Sequence, residues 1–285
     1  MSELAKRVIV AIVAIPLVAL VVWAGGVYLA LFLAVLGALG AWELLRLAER
    51  AGVRGLYGPA MVTAALLPIG THAIASGWML RPAAIGATLL VAIVALTVFE
   101  RSPEQRPLEA SAVTVFGALY CSGSLALAYL LREHQWAVGK AAGSALLFFP
   151  IALTWISDSA AYFVGRAVGR RKLFPAVSPK KTVAGAVGAV FAAAVAAPLY
   201  VEYVLRPLAQ LALSPAVALL FGVVTSVAGQ LGDLAESLYK RQAGVKDSSG
   251  LIPGHGGILD RLDSLYFVLP VAYLLLGRFL LPSPR

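Results

Sequence analysis

The sequence predicts an all-α, polytopic integral membrane protein with about nine transmembrane helices and a cytoplasmic N-terminus. Three observations carry this. Of 285 residues, 60% are hydrophobic and 13% charged, where a soluble domain carries roughly 25% charged residues. The apolar residues fall in runs near the ~20 residues that cross a bilayer as a helix. Lys and Arg collect in alternate breaks between those runs, the asymmetry that sets orientation.

The first run, 8–24, follows Lys6-Arg7. Its length, and the lack of an A-x-A-like cleavage site, favour a retained span over a signal peptide. Further runs cover 27–45, 57–76, 83–99, 111–131, 144–165, 183–204, 214–235 and 264–281. Turn or charge signals separate them: Gly25-Gly26, Arg46 to Arg54, Arg81-Pro82, Glu100 to Pro107, Arg132 to Lys140, Arg166 to Lys181, Arg206-Pro207, and 236–263. With the N-terminus inside, only Arg81, Arg132, Lys140, Arg206, Arg278 and Arg285 of the 23 basic residues fall outside. Both long polar loops, 166–182 and 236–263, then face the cytoplasm, where nucleotides and metal ions are available. Residues 1–140 read as a scaffold with dimer and lipid-access surfaces, and 141–285 as the catalytic region.

The composition excludes other classes. The single cysteine, Cys121, sits inside an apolar run, so disulfides and Cys-based metal or redox sites are ruled out. No internal repeat or inverted pair of broken helices of the transporter kind is evident. The net charge of +9 sits in clusters beside the spans, and no nucleic-acid partner is expected.

The polar residues of the eighth run and the loop after it are the main chemical signal. Asp233, Glu236, Ser237, Lys240 and Arg241 share one helical face. A charged stripe on an apolar helix must face a water-filled or protein-lined cavity; an internal salt-bridge ladder from Asp233 to Lys240 is the plainer alternative. Asp260 and Asp263 share a face at the start of the ninth run, where a helix N-terminus favours negative charge. With Asp233 and Asp247 they make four carboxylates from two helices and a loop, a set that Mg²⁺ would relieve of mutual repulsion when phosphates complete its coordination. The Pro253-Gly254-His255-Gly256-Gly257 turn can bring backbone N–H groups close to a phosphate. His255 stays open as ligand, base or turn-stabilising donor.

A second constellation lies at the exit of the sixth run. Asp158 is an intramembrane carboxylate and hence a functional candidate; Tyr162, Gly165 and Gly169 continue its stripe, with the two glycines suited to close helix packing. The Arg166, Arg170, Arg171, Lys172, Lys180 and Lys181 cations fit either the positive-inside rule or binding of anionic head groups. Ser178-Pro179-Lys180-Lys181-Thr182, just before a helix, looks like a phosphate cradle at a helix N-terminus. Trp42-Glu43 reads as an interfacial marker without a catalytic role, and His72 and His134 have no recognisable partner spacing.

The pattern Ser237-x-x-Lys240-Arg241, Lys246-Asp247, Pro253-Gly254-His255-Gly256-Gly257-x-x-Asp260-Arg261-x-Asp263 resembles the signature of the phosphatidate cytidylyltransferase (CDP-diacylglycerol synthase) family. Gly232-Asp233, the Asp158-x-x-Ala-Tyr162 segment and Ser178 to Thr182 also resemble it, so the similarity spans roughly 155–270. One departure is Ala184, where the family commonly carries an acidic residue before glycine. The resemblance implies condensation of CTP with phosphatidic acid to CDP-diacylglycerol and pyrophosphate. It also implies Mg²⁺, in a two-metal arrangement with a monovalent cation left open, and a homodimer in the cytoplasmic membrane. On this reading Asp233, Asp260 and Asp263 hold metal, with Asp247 next. Lys240, Arg241, Lys246 and Arg261 hold phosphates, and Lys180 and Lys181 assist. Ser178, Ser237, His255, Gly256 and Gly257 line the substrate site, and Asp158 shapes the cavity. The nearest enzymatic alternative is a CTP-dependent polyprenol- or phytol-type lipid kinase; from another class, a membrane transporter.

Overall fold

A computed structural model describes residues 3–78 and 81–282. Nine long helices run through it: α1 (Glu3–Ala24), α2 (Gly26–Arg50), α3 (Tyr57–Ala75), α4 (Pro82–Glu100), α5 (Pro107–Arg132), α6 (Lys140–Val168), α7 (Val183–Ala209), α8 (Pro215–Gln242) and α9 (Leu259–Phe279). Eight of these, α2 to α9, are long and apolar enough to cross a membrane; the apolar part of α1 is Ile12–Ala24. The protein is thus an all-α polytopic membrane protein. Arg285, counted above among the outer cations, lies outside the described residues.

Each helix matches one apolar run, and most extend past it into polar sequence, because intrahelical hydrogen bonds do not stop at the hydrocarbon boundary. The largest gain is in α8, which continues seven residues beyond the expected 235 to Gln242 and so carries Glu236, Lys240 and Arg241 on a helix. Within α7 the turn Val201–Leu205 opens to π-type hydrogen bonding. Pro207 follows it and has no N–H to donate back along the helix.

Two short antiparallel ladders supplement the helices. β1 (Lys172–Phe174) pairs with β2 (Ser178–Thr182), and β3 (Leu211–Ala212) with β4 (Leu281–Pro282). The Ser-Pro-Lys-Lys-Thr run is therefore a strand leading into a helix. Thr182 N-caps α7, its Oγ1 accepting from Gly185 N at 3.1 Å.

The chain forms two compact units. The first comprises residues 1–129 and 239–262. In it α2, α3 and α5 approach through small residues: Ser122 Oγ donates to the Ala64 carbonyl, and a Cβ on Gly117 would come within 2.6 Å of Leu45 Cδ1. His72 Nδ1 lies 2.7 Å from the Tyr129 hydroxyl, a partner no spacing rule suggested. By contrast, α4 buries only Ile93 and Thr97, and its apolar side chains are left for lipid.

The second unit comprises 130–238 and 263–285. Phe149 of α6 stacks on Tyr200 of α7 and Phe221 of α8, with centroids 4.8 and 4.5 Å apart. Nearer the polar end α6 and α7 meet at glycines: a Cβ on Gly185 would sit 2.6 Å from the Ala161 carbonyl oxygen, and one on Gly165 2.9 Å from Thr182 Oγ1. The expected glycine-mediated packing is present, and it brings the end of α6 against the start of α7.

Candidate active site

In the second unit, close packing of α6 on α7 leaves a cavity of about 630 Å³ between the end of α6, the β1–β2 hairpin, the first turn of α7 and α8. Asp158, Arg166, Lys172, Lys180, Lys181 and Asp233 line it. Lys181 Nζ meets Asp233 Oδ2 at 2.6 Å, with the two side chains 25% and 34% exposed. Asp263, Asp233 and Lys181 all lie within electrostatic reach of Asp158. Ser237 Oγ donates to Asp233 Oδ1 at 3.4 Å, and Asp263 Oδ1 accepts from Ser264 N. Gly232 lets α8 pass directly against the Asp263 backbone.

The ingredients suit a phosphate chain. Four cationic side chains and the N-terminus of α7 face one space, and unsatisfied N–H groups at a helix start attract anions. Carboxylates within reach of one another are the donors Mg²⁺ prefers. Among the described residues no cluster of three or more His, Cys, Asp or Glu side chains forms a ready cage. Mg²⁺ is usually held by one or two carboxylates with the substrate's own phosphates. Asp233 and Asp263, with Asp158 near, fit that role.

The first unit holds the other half of the sequence signature. The loop between α8 and α9 encloses a cavity of about 520 Å³ lined by Lys246, Asp247, Ser249, His255, Gly256 and Arg261. His255 Nδ1 is buried without a hydrogen-bond partner among the described residues. Gly254 and Gly256 have φ of 74° and 82°, in the left-handed region that favours glycine. Arg241 Nη1 donates to the Val245 carbonyl and so shapes the loop.

Asp260 is engaged by protein donors on both oxygens. Oδ1 accepts from Lys240 Nζ at 2.6 Å; Oδ2 accepts from Ser248 N, Ser248 Oγ and Gly257 N at 2.8, 2.8 and 2.9 Å. Within each unit one acid–base pair of the expected stripe is explicit. Lys181 takes Asp233 within the second unit and Asp260 takes Lys240 within the first.

Several cavity residues escaped the sequence reading. Gln230, one helical turn before Asp233, lines the larger cavity and donates through Nε2 to the Ala186 carbonyl at 3.3 Å; amide residues on an apolar helix gave no spacing signal. Arg166 and Lys172 line it too, though they read equally as positive-inside charges. The largest omission is Glu43, fully buried and bonded to the α8–α9 loop.

A membrane-spanning helical fold with carboxylates, lysines and a helix N-terminus around one cavity is the kind of site that suits an integral-membrane enzyme acting on phosphates. The chain belongs to the cytidylyltransferase family, whose profile matches residues 5–279. It is 30% identical over 270 residues to a Staphylococcus epidermidis protein named phosphatidate cytidylyltransferase, covering 95% of this chain and 98% of that protein. A Bacillus subtilis protein of the same name is 47% identical over 137 residues, 48% of this chain and 49% of that protein. One from Staphylococcus aureus is 41% identical over 139 residues, 48% of this chain and 51% of that protein.

Proposed function

We propose that the protein joins CTP to phosphatidic acid, giving CDP-diacylglycerol and pyrophosphate, at the cytoplasmic face of the cell membrane. The observation that carries this is the 630 Å³ cavity, in which Lys180, Lys181, Arg166 and Lys172 face Asp158 and Asp233 at the start of α7. The names of the full-length relatives support the substrate pair, and the Lys/Arg bias of the loops supports the orientation. The family resemblance also implies a homodimer, which a mass measurement of the detergent-solubilised protein tests.

An oxygen of the lipid phosphate attacks the α-phosphorus of CTP. The bond from that phosphorus to the bridging oxygen breaks, and pyrophosphate leaves with the electron pair. A phosphate monoester with a second pKa of about 6 is largely dianionic at neutral pH, so the attack needs no strong general base. That suits a site rich in Asp and cations. The obstacle is repulsion between polyanions. Lys180, Lys181, Arg166 and Lys172, with the N–H groups of α7, would hold the triphosphate and offset charge on the departing pyrophosphate. Lys246, Arg261 and His255 would bind phosphate in the loop cavity. Asp233 and Asp263, helped by Asp158, would hold Mg²⁺, which when bound supplies further charge neutralisation. Asp260, already bonded on both oxygens, would act by fixing Lys240 and the loop.

The test is a purified preparation with labelled CTP and phosphatidic acid, with and without Mg²⁺. Equimolar CDP-diacylglycerol and pyrophosphate is the expected product. Phosphorylated lipid with CDP would replace the reading by a CTP-dependent lipid kinase, and ion flux without CTP turnover by a transporter.

A further inference from the structure

Glu43 sits in α2 with none of its surface exposed. A carboxylate cannot be buried ionised without partners, since burial removes its hydration. Here four donors replace the water. Oε1 accepts from Ser249 Oγ at 2.6 Å and Ile258 N at 3.0 Å; Oε2 accepts from Ser248 Oγ at 3.0 Å and Leu259 N at 2.7 Å. Three of these donors serve Glu43 alone; the Ser248 hydroxyl, with one hydrogen, is shared between Glu43 and Asp260.

The donors are not arbitrary. The N–H groups of Ile258 and Leu259 open α9, and the first N–H groups of a helix have no partner within it. Glu43 is a helix cap supplied by a residue more than 200 positions earlier. Ser248 and Ser249 lie at the other end of the Pro-Gly-His turn. One side chain thus pins both ends of the segment that carries His255, Gly256 and Gly257. Ser248 Oγ lies 2.8 Å from Asp260 Oδ2 as well, so its one hydrogen is contested by the two carboxylates and couples Glu43 to the Lys240–Asp260 pair. Gly257 confirms how closely the carboxylate fits: a Cβ there would clash with Ser248 Oγ and both Glu43 carboxylate oxygens.

We infer that Glu43 is a positioning residue for the reaction, an anchor in the second helix that fixes the 246–261 loop through an acceptor-only carboxylate. The inference deepens the proposed function and rests on it for its activity readout. Its local readout does not.

The experiment uses the full chain in lipid nanodiscs, comparing wild type, Glu43→Gln, Ser249→Ala and the double variant. Glutamine keeps the size of the side chain but turns an NH₂ toward N–H donors, so packing survives while the acceptor set does not. In Glu43→Gln, hydrogen exchange across 246–259 is expected to rise on the order of tenfold, with α6 and α7 unchanged. kcat is expected to fall about 100-fold, with KM for CTP within about threefold. Ser249→Ala should lose turnover more mildly and add nothing in the Glu43→Gln background, because it removes part of the same unit. Unchanged exchange in 246–259 overturns the anchor. Raised exchange with normal kcat overturns its role in the reaction, as does a loss confined to KM. Should Glu43→Gln fail to fold, Ser249→Ala decides alone: wild-type exchange and kcat in that variant overturn the inference. A wild-type protein that forms no CDP-diacylglycerol would sink the proposed function instead, leaving the exchange comparison to judge the anchor.

Discussion

Lys240 and Asp260 meet at 2.6 Å with side chains 12% and 5% exposed, joining the end of α8 to the start of α9 across the loop between them. Two backbone N–H groups also donate to the Asp260 carboxylate, and the Ser248 hydroxyl is shared between it and Glu43, so the pair belongs to a network rather than standing as an isolated ion pair. Both side chains are largely hidden from water, and losing one partner strands the charge of the other.

Lys240→Met should therefore destabilise the protein by about 3–5 kcal/mol. Adding Asp260→Asn should recover part of that loss, because the stranded charge is gone. Thermal unfolding of both variants in nanodiscs measures the coupling; additive losses would mean that the two side chains do not work as a pair.

Asp233→Asn should behave differently from Asp260→Asn. Asp233 is a third exposed and faces the larger cavity, so the change should abolish turnover, by a factor of about 1,000 or more, and barely move the melting temperature. Asp260→Asn should lower both. Near-normal turnover of Asp233→Asn at saturating Mg²⁺ would remove it from the chemistry.

Chelation of divalent cations should stop product formation while leaving the helical circular-dichroism signal intact, since aromatic stacking of Phe149 on Tyr200 and Phe221 holds α6, α7 and α8 together. Restored activity on adding Mg²⁺, and a tighter apparent Mg²⁺ affinity in the presence of CTP, would fit a site completed by phosphates. Full turnover in the chelated enzyme would count against any metal role.

Gly185→Ala tests the wall of the cavity. Its Cβ would meet the Ala161 carbonyl at 2.6 Å, a backbone atom that cannot swing aside. A cost of about 1–3 kcal/mol is expected, with weaker CTP binding because α7 must move off α6. A neutral outcome in both melting and KM would show that the helix contact is slack.

Much of this was legible beforehand because the bilayer imposes a simple grammar. Long apolar runs such as 83–99 become helices whatever they pack against, and α4 lies where its run lay. The site's charges were equally visible, since Asp233 and Asp158 stand out against apolar neighbours. Partner choice was not. Nothing in the spacing of Lys240 prefers Asp260 to Asp233, because pairing depends on where a distant helix arrives. Glu43 was the least readable of all: a Trp-Glu pair near the end of a span looks like an interfacial marker, and its donors lie 205 or more residues away. The 178–182 strand was missed for a local reason: Ser-Pro-Lys-Lys-Thr has no apolar/polar alternation to mark it.

The distance between Glu43 and its donors has a consequence for biogenesis. At about 5–20 residues per second, α2 enters the membrane about 10–40 seconds before Ile258 and Leu259 are made. Throughout that interval its carboxylate has none of its final partners and must be held by water, a proton or the insertion machinery. The start of α9 is what relieves it, so the loop between α8 and α9 can set only after that helix has begun to be made.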